Sequence, residues 1–90
     1  MDIVVVGYGR VGIRAAQLLA EEGHEVTVVD DDPEKVERAA DDGFRSVEGS
    51  GDDERVLEDA GVGTADAVGA LTGDLNVNFA ACMIAKEVDD

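Results

Sequence analysis

Apolar positions along the chain switch between two periods. Ile3 to Val6 is an unbroken β-branched run, the pattern of a parallel strand buried on both faces. From Val11 to Glu22 the apolar residues recur at helical spacing, with Val11, Ala15, Leu18 and Leu19 expected inward and Gly23 as the stop. A second run, Val26 to Val29, ends at Asp30. Asp32 followed by Pro33 signals an N-cap and first helical turn, after which Val36, Ala39 and Ala40 are expected to face inward as far as Gly43. Phe44 to Val47 reads as a short third strand. Asp53 to Ala60 reads as a helix with Val56, Leu57 and Ala60 on one face, stopped at Gly61. Ala67 to Leu71 reads as a fourth strand, and Asp74 to Val88 as a last helix burying Phe79, Met83 and Cys82.

Strands that alternate with helices across short connections imply βαβ units and a parallel sheet. Right-handed crossovers then favour strand order 3-2-1-4. No repeat, low-complexity segment or linker divides the 90 residues, so a single α/β domain spanning 1–90 is expected. A fuller fold of this kind carries further strands beyond the fourth. The chain therefore reads as truncated after its fourth strand and following helix, with one sheet edge open.

Size and charge narrow the functional classes. A chain of 90 residues has no room for both a cofactor domain and a substrate domain. Twenty-two acidic residues against seven basic ones give a formal net charge of −15. Such a surface repels nucleic-acid backbones and anionic lipid. Apolar residues at 44% in periodic blocks argue against disorder. The composition resembles cytosolic proteins of salt-accumulating microbes, in which the Debye length shrinks to ~3 Å and self-repulsion is screened. The single Cys82 has no internal partner, and the single His24 reads as an exposed turn residue; no metal-ligand cluster is present in the sequence. No signal peptide or membrane span is evident, so the chain reads as cytosolic with no direct membrane insertion.

The candidate chemistry lies between the first strand and the first helix. Gly7-Tyr8-Gly9-Arg10-Val11-Gly12 is G-x-G-x-x-G in strand-to-helix context. Gly7 permits the tight turn, Gly9 lets backbone approach a pyrophosphate, and Gly12 lets the helix pack close to the strand. The helix N-terminus presents free N–H groups and a positive dipole end to phosphate. Asp30 lies eighteen residues after Gly12, at the end of the second strand. An acid there accepts ribose hydroxyls and repels a 2′-phosphate, favouring NAD or a plain adenine nucleotide. Asp31 and Asp32 beside it also suit surface charge and helix capping. Arg10 either offsets phosphate charge or pairs with nearby surface acids. These residues make the fold a Rossmann-like, doubly wound parallel sheet.

Four blocks carry a family resemblance: V-V-V-G-Y-G-R-V-G (4–12), H-E-V-T-V-V-D (24–30), G-S-G-D-D-E-R-V-L-E-D-A-G (49–61) and A-D-A-V-G-A-L-T-G-D-L-N-V-N (65–78). Over essentially its whole length the chain resembles the N-terminal domain of the Trk potassium-uptake regulatory subunits, within the family that regulates potassium conductance. The resemblance implies phosphate contacts across Gly7 to Gly12, ribose contact by Asp30, adenine contact by Ser50 and Gly51, and a far cleft wall at Thr72 and Gly73. Thr72 suits a helix cap equally. It further implies NAD(H) or ATP/ADP as ligand, a membrane potassium transporter or channel subunit as partner, a place at the inner face of the membrane, and a homo-oligomer.

No His, Lys or second Cys falls on the predicted cleft loops, so no general base or nucleophile is assembled, and a non-catalytic sensor is expected. Two other readings stay open. One is the cofactor domain of an NAD-dependent dehydrogenase, separated from its substrate domain. The other is a module that binds nothing and packs only against partners.

Overall fold

A computed structural model describes residues 1–71. The expected helix from Asp74 to Val88, with Phe79, Cys82 and Met83, lies outside the described residues, as do Thr72 and Gly73. Element order is β1 (Asp2–Val6), α1 (Arg10–Glu21), β2 (Glu25–Asp30), α2 (Pro33–Asp41), β3 (Arg45–Glu48), α3 (Glu54–Asp59), a 3-10 turn (Val62–Thr64) and β4 (Ala67–Ala70). The strands form one sheet in the order β3-β2-β1-β4, every neighbouring pair parallel. This is the expected Rossmann-like α/β sheet.

The central strand carries both faces. Val4 and Val6 point to one side, where they meet Val29, Leu57, Ala60 and Val62 beneath α3 and the 3-10 turn. Ile3 and Val5 point to the other, against Val26, Val28, Ala16 and Ala39 beneath α1 and α2. Alternation along β1 therefore feeds two apolar layers, which is why its sequence reads as uninterrupted rather than alternating. Ladder contacts continue past the strand ends: Gly7 N–H donates to the Val29 carbonyl at 2.7 Å, and Leu71 N–H to the Val6 carbonyl at 2.7 Å. The ends of β2 and β4 are thereby held beside the glycine loop.

Some faces differ from expectation. Val11 and Leu18 stand outward, at 63% and 53% exposure, while Gly12 and Ala16 form the buried side of α1. These small residues sit where the helix lies closest to the sheet, and Leu19, expected inward, packs half-buried on the same layer with Ile13. On α2, Ala39 is buried as expected, while Ala40, also expected inward, is exposed. His24 is half-buried rather than exposed, with Nδ1 3.4 Å from the terminal amine. Among the described residues no helix is long and apolar enough to cross a membrane.

Charge on this scaffold is sparsely paired. Among the described residues the one contact of ion-pair length sets His24 Nε2 3.9 Å from a Glu22 carboxylate oxygen, and no Lys or Arg pairs with an acid. With a net charge of −15, self-repulsion opposes compaction and is relieved by screening. Raising KCl from about 0.1 M to about 2 M, where the screening length falls to a few ångström, should raise the melting midpoint by several degrees. Differential scanning fluorimetry across that series checks it, and a flat or falling midpoint would contradict it.

Candidate functional site

Gly7 to Gly12 leaves β1 and turns directly into α1. Gly7 holds φ +104°, a left-handed value that side chains rarely adopt. A Cβ on Gly12 would overlap the Gly7 carbonyl oxygen, so the first turn of α1 can sit against the loop only with glycine there. At Gly9 the opposite holds: nothing lies within 4 Å of where a Cβ would be. The loop is closed on its inner side and open on its outer side, as a backbone cradle for phosphate requires.

The N-terminus of α1 also differs from those of α2 and α3. Asp32 caps α2 by accepting from Glu34 N–H, and Asp53 caps α3 by accepting from Arg55 N–H, both at 2.9 Å. Each of those helices carries an acid in its first turn, Glu34 or Glu54. The N-cap of α1, Gly9, provides no side-chain cap, and its first turn holds no acid. Helix geometry leaves the first-turn N–H groups without intrahelical partners and concentrates positive potential there. In a chain with 22 acids, none stands in this first turn. Arg10 begins the helix there and is exposed.

Asp30 is buried at 8% exposure, at the carboxyl end of β2. Its Oδ2 accepts from Tyr8 N–H at 2.7 Å and its Oδ1 from Asp32 N–H at 2.9 Å. Two backbone donors fix the carboxylate plane, one from the glycine loop and one from the entry to α2. An ionised carboxylate has about four acceptor positions, and these two backbone bonds occupy two of them. The three-acid run thus divides its labour: Asp30 orients inward, Asp32 caps α2, and Asp31 is exposed.

The loop after β3 starts beside the same strand end, where Gly49 N–H donates to the Asp30 carbonyl at 2.9 Å. Gly51 is buried and Ser50 half-buried, its hydroxyl donating to the Asp52 carboxylate. Gly7 to Gly12, Asp30, Ser50 and Gly51 therefore gather at the carboxyl ends of neighbouring strands. A groove of about 510 Å³ lies elsewhere, at the amino ends, lined by residues that include Asp2, Glu25, Asp42 and Phe44.

One arrangement was not legible in the motif. Tyr8, an unspecified position of the glycine pattern, is 1% exposed. Its side chain turns inward, packing edge-on against Phe44 at a centroid distance of 6.1 Å. Its hydroxyl donates to Asp42 at 2.5 Å. Tyr8 thus faces the loop's outer side with backbone alone.

A scan against family models matches residues 3–90 to the TrkA-N domain. The chain belongs to the TrkA-N domain family. A Trk system potassium uptake protein TrkA homolog from Pyrococcus abyssi is 36% identical over 92 residues, covering 99% of this chain and 40% of that protein. This TrkA-N domain thus spans about 40% of that relative's length. Among solved structures, the TrkA-N domain of inner membrane protein ybaL from Escherichia coli superposes with a TM-score of 0.89 at 21% identity, over 97% of this chain and 64% of that one. The NAD(P)-binding domain of an exopolyphosphatase-related protein from Archaeoglobus fulgidus gives a TM-score of 0.83 at 26% identity, over 96% and 65%.

Two outcomes test the geometry of the loop. Gly12→Ala should lower stability by about 1–3 kcal/mol, the usual cost of forcing extra volume into a close-packed contact, read as a lower denaturant midpoint. Burial and the hydrogen bond to Asp42 raise the Tyr8 phenol above its ordinary ionisation range. The unfolded chain releases that proton near pH ~10 while the folded chain retains it, so stability should fall as pH climbs past that point. In Tyr8→Phe this part of the fall should disappear from a pH series of denaturant midpoints.

Proposed function

We propose that this TrkA-N domain is a nucleotide-sensing module of a potassium-uptake system. It takes NAD(H), or ATP/ADP as the alternative, and passes the bound state to a membrane potassium transporter or channel subunit at the cytoplasmic face. The observation that carries this reading is the α1 N-terminus. It is open above Gly9, uncapped by side chains and free of first-turn acids, beside an Asp30 carboxylate held by two backbone N–H groups.

These residues fit the ADP portion common to both ligands. Backbone from Gly7 to Gly12 would hold the pyrophosphate, with the Arg10 guanidinium offsetting its charge. The free acceptor positions of Asp30 would take the ribose hydroxyls and oppose a 2′-phosphate. Ser50 and Gly51 would approach the adenine, and Thr72 with Gly73 would form the far wall. The domain acts by binding rather than by catalysis, and switching requires that a ligand favour one conformation over another. A homo-oligomeric assembly completes the proposal.

Thermal melts in about 2 M KCl, a salt level that screens the acidic surface, test the binding step with NAD⁺, NADH, ATP and ADP. A ligand at ~100 times its dissociation constant should stabilise the fold by ~2.7 kcal/mol. Gly9→Ala separates binding from folding. Without ligand it should stay within about 1 kcal/mol of the parent, since the site is sterically open and alanine is only a weaker N-cap. With ligand its melting shift should be largely lost. A folded parent that none of the four nucleotides stabilises would overturn the reading.

A further inference from the structure

The nucleotide site draws only on the backbone of Tyr8, yet its side chain is among the largest fully buried ones. Tyr8, through its backbone and its side chain, joins two ends of the sheet. Its N–H holds Asp30 Oδ2 at the carboxyl ends of the strands. Its hydroxyl bonds Asp42, which follows α2 and precedes β3, and so belongs to the amino-terminal rim. Phe44 braces the ring between them.

We propose that Tyr8 is a positioning residue for the nucleotide site, a buried strut through which Asp42 at the opposite rim sets the alignment of the glycine loop and of Asp30. This inference rests on the nucleotide reading above. A phenol donating to a carboxylate makes a charge-assisted hydrogen bond, stronger than a neutral one. With the hydroxyl fixed and the ring wedged on Phe44, the backbone of Tyr8 has one seat. Release of the hydroxyl frees the ring to shift, and the N–H that orients Asp30 shifts with it. Binding groups need placement within about 0.5 Å and 10–20°, so a small shift registers in affinity. Asp42 is exposed and lines the groove at the amino ends. An effect of Asp42 on nucleotide affinity therefore cannot come from touching the ligand.

Isothermal titration with ADP and with NAD⁺ tests this on the parent, Tyr8→Phe, Asp42→Ala, Asp42→Asn and the Tyr8→Phe/Asp42→Ala pair. Titrations run well below the melting point of the least stable variant. Tyr8→Phe and Asp42→Ala should each weaken binding about five-fold, the worth of one loop-to-ligand hydrogen bond lost through misalignment. The double variant should be no weaker than either single one, as for two ends of one interaction. Asp42→Asn removes the same charge as Asp42→Ala but keeps an acceptor oxygen, so it should stay within about two-fold of the parent. That contrast separates the strut from loss of a negative charge, which would affect both Asp42 variants alike. If the parent binds and both single variants match it, Tyr8 serves packing alone and the proposal is overturned. Additive losses in the pair, or equal losses in Asp42→Asn and Asp42→Ala, also overturn it. A parent that binds neither nucleotide overturns the nucleotide reading itself, and this inference with it.

Discussion

Asp30 accepts one hydrogen bond from the glycine loop and one from the residue that caps α2. That carboxylate is the hub of the upper sheet. Its Tyr8 bond fixes the loop after β1, and its Asp32 bond fixes the start of α2. Its own carbonyl receives Gly49, which starts the loop after β3. Three connections that are distant in sequence converge on one side chain and its peptide group. Burying a carboxylate is unfavourable unless it is paired or hydrogen-bonded, and here two backbone donors meet that requirement. The same two bonds set the direction of the acceptor positions that the proposed ligand would use. Structural support and candidate recognition are properties of one group.

Much of this architecture was legible from residue patterns. β1 and β2 were visible because both of their faces are covered, which demands unbroken β-branched runs. The α2 start was visible because Asp32-Pro33 supplies a side-chain acceptor and a preset φ. Gly12 was legible because close helix–strand approach admits no Cβ, and the overlap with the Gly7 carbonyl is that constraint made explicit. The 3-10 turn at Val62–Thr64 was not foreseen, since three residues carry too little periodicity to stand out.

The inward face of α1 was misplaced for an instructive reason. Large apolar residues dominate a periodicity, and Val11 and Leu18 pulled the expected stripe towards themselves. The closest contact with the sheet is made through Gly12 and Ala16, where the glycine loop draws the helix in, while Ile13 and the expected Leu19 pack at the flanks of that contact. The role of Tyr8 was hidden differently. Its position in the glycine motif leaves the side chain unspecified, and Asp42 and Phe44 are far along the chain. Only the crossover that returns α2 to the amino-terminal rim brings them together.

The acid-free first turn of α1 has a kinetic side. Under the proposed function, the ligand is an anion approaching a body of net charge −15, so the long-range field would slow encounter while the local field at the helix end would favour capture. Added salt collapses the first effect, which acts over many ångström, far more than the second, which acts at contact. Association would therefore quicken as KCl rises, the reverse of the familiar slowing between oppositely charged partners. Under the proposed nucleotide reading, the salt of the medium itself would set how quickly the site fills.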